Sequence, residues 1–575
     1  MAILKAFFER KLHLLILLGL TAFLLSLFPP PLLLSPTSIA GGDTASHLPS
    51  AAVMRHRLLS GGPLFAWVPG NYAGFPLFLN YFPLPFILIA CLSFLVSLPI
   101  AFKVGTLLAV IPLPLAMFGC LRNLGCPHPA PALGAAFSVL FLAMKDNSMW
   151  GGNLTSTLAG EFSYGISLIL AVYLVGKLFR DVPRRRSLIA NAVLEALVAF
   201  SSGFPVLQAG FGSFYFLRRL RHWPYLIVLH ALAAGMIGFW LLPLVWRLPW
   251  TTPAHHTWHF QGWWEAVPVI LWPAVFGILL GWGVQAYARL KTPRTPGDPQ
   301  DGRPQEYLWF QVGVSLLFFA CAPWIGLADV RFLPFTQILL LLLGAIGWGE
   351  FLNRFPYSRI TSCLLVVGVV LGSQPALRET RSWIEWNYSG FEAKELWPVF
   401  QQINSALKGT ENDPRVFYEH SALNDRLGTA RAFEMLPYFS GRSTLEGLYM
   451  QSSLSSPFVF YLQSELTQSP SCPFQGYSYS RVDAVRAAQH LRLFNANQVI
   501  TVTRCVSDLL DQCPDYALQR SIPPYRIYEV SNFEPAYVVA VRYLPHRIPA
   551  AGWKATQYEW FRRSSLEVPL VVTPE

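Results

Sequence analysis

The sequence predicts a polytopic α-helical membrane protein with a C-terminal soluble domain of α/β or α+β type. Three observations predict it. Of 575 residues, 53% are apolar and only 13% are charged, with a mean hydropathy of +0.39, a balance that describes a membrane protein. Repeated apolar runs of about 17 to 25 residues, the length that crosses a bilayer as helix, fill the first two thirds. After about Gln374 they stop, and the residue pattern changes.

Charge orders the spans. The 43 Lys and Arg against 32 Asp and Glu give +11, which in a soluble protein would suggest nucleic acid. Here much of the excess lies in short loops between apolar runs, so it reads as topology and not as a partner. Basic clusters at Lys5 to Lys11, Arg180 to Arg186 ("RDVPRRR"), Arg218 to Arg221, Arg289 to Arg303 and Arg354 to Arg359 mark the cytoplasmic side. Five apolar runs separate the first two clusters, at 12–34, 80–98, 103–121, 131–144 and 162–179, yet an even number of crossings must do so. The run 80–98 is the one expected not to cross, because Pro83 and Pro85 remove backbone donors near its start and its aromatics suit an interface. Runs at 187–203, 204–217, 223–246, 266–288, 306–322, 332–349 and 360–376 complete about eleven spans. The N-terminus is then cytoplasmic and the C-terminus outside. Residues 1–376 form the membrane domain, with an outer loop at 35–102 carrying juxtamembrane helices, and 377–575 form an extracytoplasmic domain. The run 12–34 lacks a convincing cleavage site and reads as a retained first span.

In the tail, "PRVFYEH", "ANQVITVTR" and "YRIYEV" alternate like strands, while "AKELWPVFQQINSALKG" and "RVDAVRAAQHLRLF" have helical spacing. The segment "KTPRTPGDPQDGRPQ" is too polar and Pro/Gly-rich to pack and reads as a cytoplasmic linker. Of eight cysteines, five lie in or beside apolar runs; Cys505 and Cys513 could close a short disulfide in an oxidising space, leaving Cys472 unpaired.

Three stretches carry candidate chemistry. In "GGDTASHLPSAAVMRHRLL", a helix starting near Asp43 sets Asp43 and His47 four apart on one face. Asp43 after two glycines also suits a plain N-cap, but an ionisable pair at the membrane boundary is by default a functional candidate. In "WGGNLTSTLAGEFSYGISL", Glu161 starts a span on the outer side, where the helix dipole favours a carboxylate. Two outward carboxylates at span ends fit a site in which one accepts a proton and the other positions a substrate or a divalent cation. In "APWIGLADVRFLPF", Arg331 precedes an apolar helix on the same side and suits phosphate, although snorkelling is its ordinary role; Asp329 is a partner within reach. The outer loop "PAHHTWHFQGWW" offers His255, His256 and His259 without a companion ligand, and reads as a wetted aromatic loop rather than a zinc site.

Together these features resemble the GT-C superfamily of membrane glycosyltransferases, and more closely the bacterial polytopic proteins called 6-pyruvoyl-tetrahydropterin-synthase-related membrane proteins. The lines that carry the resemblance are "GGDTASH", "YAGFPLFLNYFPLPF", "GGNLTSTLAGEF", "DVRFLPF", "WNYSGFEAKELW" and "GRSTLEGLYMQSS", spread over nearly the whole chain. The resemblance implies a GT-C-like fold and an inverting transfer of sugar from a polyprenyl-phosphate donor to a glycan, lipid or protein acceptor at the outer face of a bacterial cytoplasmic membrane. It implies Asp43 as general base, Glu161 as the residue that orients the acceptor or holds a divalent metal ion, His47 as an assistant to either, and Arg331 as the group that binds the donor phosphate. Exposed tail residues Trp386, Tyr388, Glu446 and Tyr449 are the acceptor-side candidates. The other function classes compatible with the sequence are a lipid-linked substrate transporter or flippase, and a non-catalytic membrane assembly protein.

Overall fold

The computed structural model describes residues 2–253, 257–291 and 304–573; His255, His256 and most of the linker expected at 291–305 lie outside them. The chain forms two compact units, one of residues 1–64, 82–246 and 255–392, the other of residues 65–81, 247–254 and 393–575.

The first unit is helical. It runs through α1 (Ala2–Leu25), α2 (Pro30–Leu33), α3 (Thr44–Ser60), α4 (Leu84–Leu92), α5 (Leu98–Leu107), α6 (Leu113–Asn123), α7 (Ala130–Leu142), α8 (Leu154–Ala159) and α9 (Phe162–Asp181). It continues through α10 (Leu188–Ser201), α11 (Gly203–Gly212), α12 (Trp223–Met236), α13 (Gly238–Arg247), α14 (Trp263–Ala266), α15 (Trp272–Lys291), α16 (Pro304–Cys321), α17 (Leu333–Leu352) and α18 (Ser358–Tyr388). Proline sets many of the starts: α4, α5, α6, α7, α12 and α17 all carry one in the first turn, where the missing N–H has no intrahelical partner to lose.

The chain is a multi-pass membrane protein, but not every expected span is one straight helix. Among the described residues, five segments are long and apolar enough to cross alone, namely Phe162–Asp181, Val269–Ala288, Pro304–Ile325, Asp329–Leu352 and Ser358–Tyr388. The span expected at 223–246 is bent by 83° where α12 meets α13. The span expected at 103–121 is also divided, into the end of α5 and most of α6, because Pro112 and Pro114 start a new helix there. The run at 80–98, expected not to cross, contains the nine-residue α4, about 14 Å long and too short for a bilayer.

Small residues let the long helices touch. A Cβ on Gly281 of α15 would meet Gly347 Cα of α17 at 2.8 Å, and one on Gly176 of α9 would meet Cys120 Cα of α6 at 2.6 Å. Close backbone approach of this kind is the main source of helix association in lipid, where no hydrophobic drive exists. α17 is buried along most of its length and forms the centre of the unit.

The domain boundary expected at 376/377 falls inside α18, which runs unbroken to Tyr388. Loss of hydropathy marks where apolar side chains end, not where the hydrogen-bonded helix does. The units part instead between Glu392 and Ala393, and two stretches expected in outer loops, 65–81 and 247–254, belong to the second unit.

The second unit contains a hairpin of β1 (Ala66–Val68) and β2 (Phe75–Leu77), then α19 (Trp397–Ala406), β3 (Arg415–Tyr418), α20 (Leu436–Phe439), α21 (Ser456–Glu465), α22 (Ala484–Leu493), β4 (Ala496–Thr501), α23 (Arg504–Asp511), β5 (Tyr516–Ile522) and β6 (Tyr525–Val530). It ends with β7 (His546–Pro549), α24 (Trp553–Arg563) and β8 (Leu570–Thr573). The main sheet has the order β3-β4-β6-β5, with β3 parallel to β4 and the other neighbours antiparallel. All three strands and both helices expected in the tail are present; β5, whose middle five residues are exposed, was not expected because its apolar pattern is weak. One core joins Tyr72, Phe417, Leu445, Phe460, Leu491 and Val499. A buried hydrogen-bonded pair joins the helices around it: His490 Nδ1 of α22 lies 2.7 Å from Glu465 Oε2 of α21, with the imidazole stacked 3.8 Å from the Phe561 ring of α24. Cys505 and Cys513 are both free thiols, the first exposed on α23 and the second buried after it.

Candidate active site

The Gly-Gly turn before Asp43 is shaped by close approach of two remote segments. Gly41 and Gly42 have φ of +85° and +48°, where an L side chain is strained. A Cβ on Gly41 would collide with the Asn387 amide, and one on Gly42 with the Ala159 carbonyl. Asn387, near the end of α18, accepts at its carbonyl from Ala40 N–H (3.0 Å) and donates through Nδ2 to the Leu158 carbonyl (2.6 Å). It therefore ties the turn at 40–42 to the end of α8. Glu392 holds the stretch before it, accepting from the Ser38 N–H and hydroxyl at 3.0 and 2.7 Å. Lys103 holds the stretch before that through the Leu32 and Ser35 carbonyls and the Thr37 hydroxyl. Asn387, Glu392 and Lys103 were not expected as site residues. Asn387 and Glu392 stand in the motif "WNYSGFEAKELW", singled out for its aromatics rather than its amide.

This clamp fixes Asp43. Its N–H donates to the Ala159 carbonyl at 2.8 Å, and although it occupies the N-cap position of α3, its carboxylate makes no capping bond. His47, one turn on, is buried with its ring 5.2 Å from Phe162 and 5.6 Å from Phe86. Both side chains pack on Gly160: a Cβ there would sit 2.8 Å from Asp43 Cβ and 3.3 Å from His47 Cδ2. Gly160 has φ +115°, and its successor is Glu161, at the N-terminus of α9. Gly160→Ala is thus expected to lower stability by about 1–3 kcal/mol through backbone strain and to push Asp43 and His47 apart, read as a lower melting temperature together with lost activity.

Glu161 pairs with Arg331, whose Nη2 donates to Oε1; both side chains are about one fifth exposed. The Arg331 backbone is anchored as well, its carbonyl accepting from the Tyr164 hydroxyl at 2.7 Å. Asp329 accepts from the Trp258 N–H at 3.0 Å and from the Val330 N–H at 2.7 Å, organising the loop that holds His259. Asp43, His47, Glu161 and Arg331 therefore come from three segments far apart in the chain, joined through Ala159, Gly160 and the Glu161–Arg331 pair.

A divalent metal among Asp43, Glu161 and His47 does not fit this arrangement. Arg331 stands at Glu161 where a cation would, aromatic rings flank His47, and among the described residues no three His, Cys, Asp or Glu side chains gather as a ligand set.

Of the four acceptor-side candidates expected to be exposed, only Trp386 is, at 43%. Tyr388 is buried and its hydroxyl bonds that of Thr106 at 2.7 Å, since the helix face that carries it packs inward. Glu446 and Tyr449 are buried within the second unit, Tyr449 against Tyr81 and Phe75. Glu446 receives a hydrogen bond from Gln463 Nε2 at 2.6 Å, and burial pushes its carboxyl up to about 7, opposed by the Arg431 guanidinium. His420 beside it, 3.8 Å away, is pushed down by burial and by Arg431.

The raised Glu446 value has a definite sign. Between the ordinary carboxyl value of 4.5 and about 7, the folded state keeps a proton that the unfolded chain releases. The group therefore lowers stability as pH rises through that window and by a constant amount above it. At about 1.4 kcal/mol per tenfold, the loss is about 3 kcal/mol. Glu446→Gln is expected to raise the melting temperature at pH 8 and leave it little changed at pH 4.5, in thermal melts of variant against wild type.

The fold is that of the GT-C membrane glycosyltransferases. The arabinofuranosyltransferase AftD from mycobacteria superposes on 94% of the chain with a TM-score of 0.55 at 13% identity; the chain spans 44% of that protein's length. ArnT from Cupriavidus metallidurans, solved bound to undecaprenyl phosphate, superposes on 91% of the chain and 99% of its own, with a TM-score of 0.51 at 13% identity. The Archaeoglobus fulgidus oligosaccharyltransferase, solved tethered to an acceptor peptide, covers 86% of this chain and 69% of its own, with a TM-score of 0.54 at 9% identity. Within that fold, the chain belongs to the 6-pyruvoyl-tetrahydropterin synthase related family of membrane proteins, which it matches over residues 79–389. Residues 398–546 match a domain of unknown function, DUF8559. No curated protein matches the sequence.

Proposed function

We propose that the protein is an inverting glycosyltransferase that moves a sugar from a polyprenyl-phosphate carrier to a glycan, lipid or protein acceptor at the outer face of a bacterial cytoplasmic membrane. The observation that carries this reading is the packing of Asp43 on the turn that leads into the Glu161–Arg331 pair. The fold shared with ArnT, a protein solved with undecaprenyl phosphate, supports the same donor class. Asp43 takes the proton of the acceptor hydroxyl as the new glycosidic bond forms at the anomeric carbon. The bond from that carbon to the phosphate oxygen breaks, and Arg331 meets the negative charge that grows on the leaving phosphate. Glu161 orients the guanidinium, and His47, buried on the same turn of α3, keeps Asp43 in place. Trp386, exposed at the end of α18, is the remaining acceptor-side candidate in the first unit.

The test is transfer of labelled sugar from polyprenyl-phosphate donors by the purified protein in detergent, wild type against Asp43→Asn. Loss of transfer in the variant supports the reading, and equal transfer removes it. Orientation is checked separately: Glu161→Cys in a cysteine-free background is expected to react with an impermeant maleimide from outside the cell, and labelling only from the cytoplasm overturns the outer placement.

A second reading, a transporter of lipid-linked substrates, is favoured by one observation. Within the apolar helices, Glu195 Oε1 lies 2.7 Å from His230 Nδ1, and His230 Nε2 lies 3.0 Å from the Ser213 hydroxyl. Ionisable groups inside a membrane domain suit coupling to ions. Glu195→Gln abolishes activity under this reading and spares sugar transfer under the first.

A further inference from the structure

A cavity of about 140 Å³ opens among α15, α16 and α17, lined by Trp282, Gln285, Gln305, Glu306, Trp309 and Glu350. It lies at the far end of α17 from Arg331: nineteen residues of sequence separate Arg331 from Glu350, about 28 Å at the helical rise. Its occupant therefore does not share the candidate active site.

The lining has one chemical bias. Glu350, in the last turn of α17, receives Gln285 Nε2 at 3.2 Å and Gln305 Nε2 at 2.5 Å. Among the described residues these two neutral amides are its hydrogen-bond donors, and it forms no ion pair. Glu306 adds a second carboxylate, and the carbonyl end of α17 adds negative potential at Glu350. The nearby Arg354 guanidinium is engaged elsewhere, donating to the Val284 carbonyl at 3.2 Å and lying 5.4 Å over the Tyr287 ring. Facing the carboxylates is an indole pair, Trp282 and Trp309, stacked with centroids 6.0 Å apart.

Carboxylates combined with indole faces select a weakly hydrated organic cation. A ring quadrupole attracts an ammonium group at close range, whereas magnesium or calcium demands a shell of oxygen ligands that two indoles and two amide N–H groups cannot supply. The volume is several times the share of one water, about 30 Å³, which is the scale of a small alkylammonium group. Trp282 is 53% exposed on a helix apolar enough to cross a membrane, so the cavity is reached from the lipid side.

We propose that this cavity binds an alkylammonium group, either the headgroup of an aminophospholipid or the same amine free in solution. The carboxylates of Glu350 and Glu306 neutralise the cation, and Trp309 and Trp282 cover its alkyl face.

The test is native mass spectrometry of the full chain in mild detergent, titrated with phosphatidylethanolamine, with phosphatidylglycerol and with ethanolamine. A preference of at least tenfold for phosphatidylethanolamine over phosphatidylglycerol, reduced at least fivefold in Glu350→Gln and in Glu306→Gln, supports the site with lipid as its source. Ethanolamine binding with the same sensitivity to both variants, and no preference between the lipids, supports it with the free amine as source. Should neither preference exist, or should binding persist unchanged in the variants, the site is overturned. Glu306 is exposed, so Glu306→Gln keeps the fold even if Glu350→Gln does not.

Discussion

Asp43→Asn is expected to lower sugar transfer by about two to four orders of magnitude, the usual contribution of a general base, with the loss in kcat and little change in KM. The amide keeps the volume and most of the shape of the carboxylate, so packing on Gly160 survives. What it loses is the capacity to take a proton. Because the Asp43 carboxylate makes no capping bond to α3, the substitution leaves the backbone hydrogen bonds of the helix start in place, and the fall in melting temperature is expected to be small beside the fall in rate. Rates with a saturating donor, measured beside a melt of the same preparation, separate the two effects. A variant that melts normally and still transfers at the wild-type rate leaves no role for Asp43 as base.

Arg331→Met is expected to reduce transfer by about two to three orders of magnitude, the scale seen when a charge-stabilising donor is removed from a transition state. It should also destabilise the protein, because Glu161 is left without its partner. A fully buried pair loses 3–5 kcal/mol on being broken in this way; for a pair about one fifth exposed, about 2 kcal/mol is reasonable. The companion variants separate the two roles. Glu161→Gln removes the charge that orients the guanidinium but leaves Arg331 to face the phosphate, so its transfer loss is expected to be smaller. The double variant is expected to recover much of the stability lost in Arg331→Met, since Glu161 no longer carries an unpaired charge, while transfer stays low. Stability and activity that return together in the double variant would contradict a phosphate-binding role for Arg331.

The candidate site was legible in the sequence as its separate pieces. Asp43, Glu161 and Arg331 each stand at a helix start, after or near glycine, and charged residues beside apolar runs draw attention because they are costly there. Which of them meet was not legible. The Glu161–Arg331 pair joins residues 170 positions apart, and the two glycines before Asp43 are explained by Asn387 and Ala159, which no local pattern points to. Asn387 sits in "WNYSGFEAKELW", where an amide among aromatics carries no signal until its partners are known. The same limit explains Tyr388 and Glu446: an aromatic or charged residue after the last apolar run reads as exposed, yet both lie in packed interiors.

By itself the sequence determined the membrane class, the change to a mixed sheet domain after the last apolar run, and the three strands and two helices of that domain. These follow from composition and period, which act over one or two turns of chain. Only the tertiary structure decided that the span at 223–246 is bent, that α18 carries through the hydropathy boundary, that segments 65–81 and 247–254 join the second unit, and that Glu161 pairs with Arg331. The last two depend on groups far apart in sequence reaching van der Waals or hydrogen-bond distance, and interactions of that range leave no periodic trace in a single chain.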